Sequence, residues 1–143
     1  MRLRAQGSRL RYRYGVRRIL EESYLPQMTG AHYILLPKGT VVYNAKDTTD
    51  DEVYYERRWY GSMIHLWKEL TGVPDPDCCN ADCPHRNDDI VGGHVVREDA
   101  SRVLTSGDEV LIVPLCKSCN HCTNDDPIEL ARDTWAVVLT WDD

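Results

Sequence analysis

The sequence predicts an α+β fold in which N-terminal strands and one amphipathic helix precede a cysteine-rich module. Short apolar runs flank a turn at 37–39, and residues from about 50 to 71 follow a helical repeat. All six cysteines fall within residues 78–122. A chain of 143 residues with 42% hydrophobic side chains is long enough to bury one core. We divide it into an arginine-rich arm (1–18), a hairpin plus helix (19–77) and a cysteine module (78–143).

The first predicted element after the arm is a hairpin over residues 30–46. One apolar run extends from His32 to Leu36 and a second from Thr40 to Tyr43. Pro37, Lys38 and Gly39 lie between them and are typical of a tight turn. We therefore expect two short strands that pair with each other.

The helix is predicted to run from about residue 50 to residue 71. Thr49 with Glu52 three positions later forms a capping box, and Gly72 before Val73 and Pro74 is a stop signal. Apolar side chains recur on one face at spacings of three, four and seven: Val53, Tyr60, Met63, Ile64, Trp67 and Leu70. We expect this face to pack in the core.

The cysteines form two clusters, one at 78–83 and the other at 116–122. In the second cluster two residues separate Cys116 from Cys119, which is typical of a four-ligand structural zinc site. We predict one tetrahedral structural zinc ion held by Cys78, Cys83, Cys116 and Cys119, with Cys79 as the substitute for Cys78. The alternative is a set of buried thiols or disulfides.

The redox state of the cellular compartment bears on the choice between a metal site and disulfides. The sequence contains no apolar run of the roughly 18 residues that a membrane span requires, and no signal-peptide core. We therefore expect the protein to lie in a reducing intracellular compartment. The cytoplasm is the expected compartment, and the mitochondrion is the alternative. Reducing conditions favour metal binding over disulfides.

The net charge of −6 conceals an uneven distribution. Residues 1–18 hold seven arginines and no acid, whereas the rest holds ten basic and 23 acidic residues, a net charge of −13. Because arginine contacts phosphates, we expect Arg9, Arg11 and Arg13 to contact an acidic or phosphate-rich partner, with nucleic acid as one candidate. The alternation over 9–14 predicts a strand, so a charged edge strand and a mitochondrial presequence are the alternatives.

Two segments of the cysteine module carry a family resemblance. Gly92-Gly93-His94-Val95-Val96 follows the first cysteine loop, and Leu115-Cys116-Lys117-Ser118-Cys119-Asn120 follows a long loop. With the cysteine loop, residues 78–125 resemble the treble-clef, ββα-metal architecture of HNH-type proteins. The resemblance implies a zinc-stabilised treble-clef module in which the four cysteines hold a structural zinc ion. It also implies that His94 lies where the family keeps its general base, which activates water against a phosphodiester.

The chain departs from the family pattern at two places. Gly93 stands where the family has a metal-binding aspartate, and no histidine or lysine follows Asn120 at the usual helical positions. Without that carboxylate a hydrolytic metal lacks a natural ligand. We therefore favour a zinc-binding scaffold or adaptor in a protein or ribonucleoprotein assembly over the alternative, a metal-dependent HNH-type endonuclease with His94 as general base.

Overall fold

The structure, a computed structural model, describes residues 2–4, 33–46, 53–55, 58–60, 62–83, 89–105, 107–121 and 124–142. These residues form an α+β fold with one helix and a curled antiparallel sheet. The strands are β1 (Arg2–Arg4), β2 (Tyr33–Leu36), β3 (Val41–Asn44), β4 (Val53–Tyr55), β5 (Arg58–Tyr60), β6 (Ile90–Val96), β7 (Glu109–Cys116), β8 (Ile128–Glu129) and β9 (Thr134–Asp142). The helix is α1 (Met63–Thr71), and a 3-10 turn covers Asp99–Ser101.

Seven of the described strands belong to one sheet, with the order β1-β9-β7-β6-β3-β8 and β2 also paired to β9. The three long strands β6, β7 and β9 form its centre, where His94 pairs with Ile112 and Ile112 with Val137. Their side chains are almost continuously apolar because both faces of the sheet are covered.

Helix α1 covers one face of the sheet. Met63, Leu66 and Trp67 are buried there in a cluster that we call the helix-side core, whose strand members include Val110 and Ile112. The backbones approach closely at Gly92, where a Cβ atom would lie 2.5 Å from the Met63 Cβ and 2.8 Å from the Ile64 nitrogen. Glycine is therefore required at position 92 for the helix to reach β6.

The other face carries a second cluster, which we call the cysteine-side core. Because side chains alternate along a strand, Val95, Leu111 and Val138 face this cluster while their neighbours Val96 and Ile112 face the helix. Five buried cysteines belong to it: Cys78, Cys79, Cys83, Cys116 and Cys119. The sheet thus separates the helix from the cysteines.

The first half of the predicted helix is wrong. Residues 53–55 and 58–60 form the hairpin β4-β5, in which Val53 pairs with Tyr60. The aromatic and β-branched residues of this stretch favour strands, and this preference prevails over their helical spacing. The helix begins after Ser62, whose hydroxyl accepts a hydrogen bond from the His65 amide, and ends at Gly72 with φ 75°. Thr49 and Glu52 lie outside the described residues.

The predicted hairpin over 30–46 is also wrong in its pairing. Strands β2 and β3 flank a turn closed by the Thr40 amide and the Pro37 carbonyl at 3.0 Å. They do not pair with each other: β2 pairs with β9, and β3 pairs with β6 and β8. Alternating apolar residues specify a strand and its buried face, but not which strand lies beside it.

No helix follows the second cysteine pair within residues 115–121 and 124–142. The chain makes a single turn, with the Asn120 amide bonded to the Cys116 carbonyl at 3.0 Å, and later continues into β8 and β9. Pro127 directly precedes β8. A treble-clef module is therefore not shown.

The arginine-rich arm is described only at its beginning. Strand β1 pairs with β9, so that Leu3 lies opposite Trp141 and Arg4 opposite Thr140. Arg9, Arg11 and Arg13 lie outside the described residues. Among the described helices, none has the length and apolar character needed to cross a membrane.

Candidate metal centre

The first cysteine loop is held by backbone hydrogen bonds on both sides. The Cys79 amide donates to the Pro114 carbonyl of β7 at 2.9 Å, and the Cys79 carbonyl accepts from the Ala131 amide at 2.8 Å. Asn80 forms a bridge with Leu130. These backbone hydrogen bonds hold Cys78 and Cys83 beside the end of β7, and none of them involves a cysteine sulfur atom.

The second pair of cysteines lies where β7 ends. Cys116 is the last residue of the strand, and the following turn brings Cys119 back over it. The Cys119 amide donates to the Cys116 sulfur at 3.5 Å. A hydrogen bond from a backbone amide to a thiolate stabilises the negative charge of the sulfur, so this turn suits a metal-bound cysteine.

The four sulfur atoms of Cys78, Cys83, Cys116 and Cys119, which we call the cysteine cluster, lie within 4.8 Å of one another. All four side chains are buried. The Cys83 and Cys116 sulfur atoms are 3.5 Å apart. Zinc–sulfur bonds of about 2.3 Å in a tetrahedron require sulfur separations of about 3.8 Å. The four residues predicted from the sequence therefore lie together and could hold a metal ion.

Three asparagines, none of them predicted from the sequence, support the cluster. The Asn80 amide group donates to the Cys119 sulfur at 3.3 Å. Asn44 and Asn124 both donate to the Cys119 carbonyl, at 2.8 Å and 2.7 Å. Asn80 could have been noticed as a turn residue between two cysteines. Asn44 carries no sequence signal, because 75 positions separate it from Cys119.

Burial opposes the ionisation of two thiols of the cluster, Cys78 and Cys119, when no metal is bound. It raises the pKa of Cys78 to about 11, although backbone hydrogen bonds with Cys116 and Asn80 act in the opposite direction. Burial also raises the pKa of Cys119, although the hydrogen bond from Asn80 acts in the opposite direction. Four thiolates this close together would repel one another strongly. A bound cation removes this repulsion, which is why such a group suits a metal.

Cys79 is buried but is not a member of the cluster. Burial raises its pKa above the usual range, and the nearby Cys78 raises it further. It belongs to the cysteine-side core as an apolar side chain. Between the two alternatives for the first ligand, the structure therefore brings Cys78, not Cys79, to the other three sulfur atoms. Cys122 lies outside the described residues.

His94 lies apart from the cysteine cluster. Its side chain is 4% exposed, and alternation along β6 places it on the same face as Gly92, beneath the helix. It belongs to no group of metal-competent side chains among the described residues. The structure thus does not bring His94 and the cysteines into one site.

Gly93 faces the cysteine side of β6. A Cβ atom at this position would collide with the Leu115 side chain and would lie 3.1 Å from the Asn120 side-chain oxygen. A side chain at position 93 would therefore require the buried Leu115 side chain to move.

Comparisons with protein-family models, with curated proteins and with solved structures find no match to this chain.

Proposed function

We propose that this chain is a small zinc-binding scaffold, or adaptor, that presents its surfaces to a protein or ribonucleoprotein assembly. The observation that carries the proposal is the buried cluster of four cysteine sulfur atoms. Four protein ligands fill the coordination shell of zinc, whereas catalytic zinc sites keep one position open for water or substrate. A closed site of this kind supports structure rather than chemistry.

Zinc is the metal that suits this donor set best. Thiolates are soft ligands, and a compact group of four favours zinc or iron over magnesium and calcium, which prefer oxygen. Zinc has no redox chemistry and accepts the tetrahedral arrangement without a geometric preference of its own. Metal analysis of protein purified under reducing conditions tests the identity. We expect about one zinc ion per chain, and less than half an equivalent would contradict the proposal.

The role of the metal follows from what the ligands connect. Cys78 and Cys83 belong to a loop without helix or long strand, whereas Cys116 ends a central strand. Zinc bound to both would fasten the loop to the sheet and complete the cysteine-side core. In small domains of this type the free energy of metal binding becomes part of the free energy of folding.

The arginine-rich arm is the proposed contact to an acidic or phosphate-rich partner. Replacing Arg9, Arg11 and Arg13 with alanine should weaken binding to RNA or DNA and make its salt dependence shallower by about 0.7–0.9 per lost phosphate contact. The same three positions changed to lysine serve as the control, because lysine preserves the charge. An unchanged salt dependence in the alanine variant, or no binding by the unmodified chain, would contradict this role.

An HNH-type endonuclease with His94 as general base is the alternative. A general base must come within hydrogen-bond distance of the water it activates. His94 is buried, and a carboxylate at position 93 would require the buried Leu115 side chain to move. These two observations favour the scaffold over the nuclease.

A further inference from the structure

A cavity of about 290 Å³ lies between the end of helix α1, the segment that leads into the first cysteine loop, and the start of β9. Its volume is at the small end of ligand pockets, which range over about 300–1,000 Å³. Such a space suits one long side chain rather than a large cofactor.

The walls of this cavity are aromatic and apolar. Trp67 and Trp135 line it together with Val73, Pro76 and Pro114. The Trp67 indole nitrogen donates to the Trp135 carbonyl at 2.8 Å, and Tyr33 packs edge-on against the Trp135 ring with a centroid distance of 5.1 Å. These contacts hold both tryptophans in place before any ligand binds, which reduces the entropy cost of binding.

The rim of the cavity is acidic. Asp75, Asp77 and Asp133 lie on it, with Arg132 as the one cationic residue of the lining. Arg132 already donates to the Cys78 carbonyl at 3.3 Å, and Asp133 accepts from the Lys38 amide. Asp75 and Asp77 form no hydrogen bond or ion pair within the described part of the chain. Two carboxylates are therefore available to a ligand.

We propose that this cavity, lined by Trp67, Trp135, Pro114 and Pro76 and bordered by Asp75 and Asp77, binds an arginine side chain of a partner peptide. The apolar stem of arginine suits the proline and tryptophan walls, because long basic side chains bury their methylene groups readily. The guanidinium group pairs with carboxylates and stacks on aromatic rings, which lysine does less well. This inference rests on the proposed scaffold function, for which it supplies a docking surface.

The test uses the intact, metal-loaded chain and three fluorescein-labelled nonapeptides in which two positions, separated by alanine, are arginine, lysine or glutamine. Fluorescence anisotropy at low salt should show saturable binding of the arginine peptide, weaker binding of the lysine peptide and none of the glutamine peptide. Raising the salt concentration should weaken the binding, because exposed charges are screened.

Asp75→Asn combined with Asp77→Asn should weaken arginine-peptide binding about fivefold, since two exposed ion pairs are lost. The matched control is Asp126→Asn combined with Glu129→Gln. It removes the same charge from exposed residues outside the cavity and should leave binding unchanged. Equal weakening in both variants would overturn the proposal in favour of a general charge effect.

Two other results would also overturn it. Failure of the arginine peptide to bind is the first. The second is binding that appears only after Arg9, Arg11 and Arg13 are replaced, which would assign the cavity to the chain's own arm. In either case one zinc ion per chain would still support the scaffold, so the two proposals fail separately.

Discussion

The sulfur atoms of Cys83 and Cys116 lie 3.5 Å apart, although 33 positions separate the two residues along the chain. One belongs to a loop and the other to the last position of β7. The loop reaches the strand because the Cys79 amide bonds to the Pro114 carbonyl two residues before Cys116. Backbone hydrogen bonds between the loop and the sheet therefore bring the two cysteine pairs together, and the short distance between the sulfur atoms follows from this pairing.

Replacing Cys78 with alanine should abolish metal binding, whereas replacing Cys79 with alanine should not. Cys78 belongs to the cluster of four sulfur atoms, while Cys79 is packed in the cysteine-side core. We expect less than half an equivalent of zinc in Cys78→Ala and about one equivalent in Cys79→Ala. The second variant should still lower the free energy of unfolding by about 1–2 kcal/mol, because it leaves a small cavity.

The paired design makes this prediction easy to contradict. Both variants remove one buried thiol from adjacent positions, so a general loss of packing affects them alike. If Cys79→Ala loses its zinc and Cys78→Ala keeps it, Cys79 is the ligand and the arrangement of the first loop must be revised.

Removal of the metal should unfold the cysteine module. Structural zinc sites contribute apparent binding free energies of about 10–16 kcal/mol, comparable to the 5–15 kcal/mol by which whole domains are stable. We expect treatment with a strong chelator to lower the thermal midpoint sharply and to reduce strand signal in circular dichroism. Zinc should restore both, and magnesium should not, because it requires oxygen ligands. A chain shown to be metal-free that melts like the untreated protein would disprove a structural role.

Metal affinity should fall steeply as the pH is lowered. Burial raises the pKa of Cys78 to about 11 and also raises the pKa of Cys119, so both thiols carry protons at neutral pH when no metal is bound. Zinc binds thiolates, and its uptake must release these protons. The protons of Cys78 and Cys119 alone correspond to a change of at least about 100-fold in apparent affinity per pH unit, with tighter binding at higher pH, and each further proton released by the other two ligands adds about tenfold.

Competition with a zinc-binding dye between pH 6 and 8 measures this slope. Cys79→Ala is the control and should show the same slope, because Cys79 also has a raised pKa but lies outside the cluster. An affinity that does not change with pH would argue against thiolate ligation.

The composition of the cysteine cluster was largely predictable because the information that specifies it is local. Cys116 and Cys119 are three positions apart, so their spacing selects the second pair, whereas spacing left either Cys78 or Cys79 to join Cys83 in the first. Asn44 was not predictable. It reaches the Cys119 carbonyl only because β3 pairs with β6, and no pattern in the sequence indicates that pairing.

The errors in the predicted fold also arise because a local pattern does not specify which strands pair. Val53 and Tyr60 fit a helical stripe by their spacing, yet they are cross-strand partners in β4-β5. Seven positions equal two helical turns, but they also suit the two ends of a short hairpin. Periodicity cannot separate these cases over so short a stretch. The helical spacing is correct from Met63 onward, where the side chains of Met63, Leu66 and Trp67 on α1 are buried against the sheet.

Gly92→Ala should destabilise the fold without removing the metal. The added methyl group would meet the backbone of Met63 and Ile64, which cannot move without displacing the helix. We expect the free energy of unfolding to fall by about 1–3 kcal/mol, as for other overpacked sites. The zinc content should remain at one equivalent, because the cysteines occupy the opposite face. Stability within about 0.5 kcal/mol of the unmodified chain would contradict the close helix–sheet contact.

His94→Ala separates the scaffold from the nuclease. For a buried polar side chain that is 4% exposed, we expect the free energy of unfolding to fall by about 1–3 kcal/mol. The control is His65→Ala on the exposed face of α1, where the contact with Glu69 at 3.5 Å is worth at most about 0.5 kcal/mol. Chemical unfolding of both variants gives this comparison directly.

The same variants decide the catalytic question. A general base contributes about 100–10,000-fold to a reaction rate, so a nuclease that used His94 would lose nearly all its activity in His94→Ala and none in His65→Ala. We expect no cleavage of DNA or RNA by the unmodified chain in magnesium or manganese. Cleavage that survives repurification and disappears only in His94→Ala would overturn the scaffold proposal, because it would show catalysis by His94. We do not expect this outcome, because the His94 imidazole is buried beneath α1 and would have to reach the substrate.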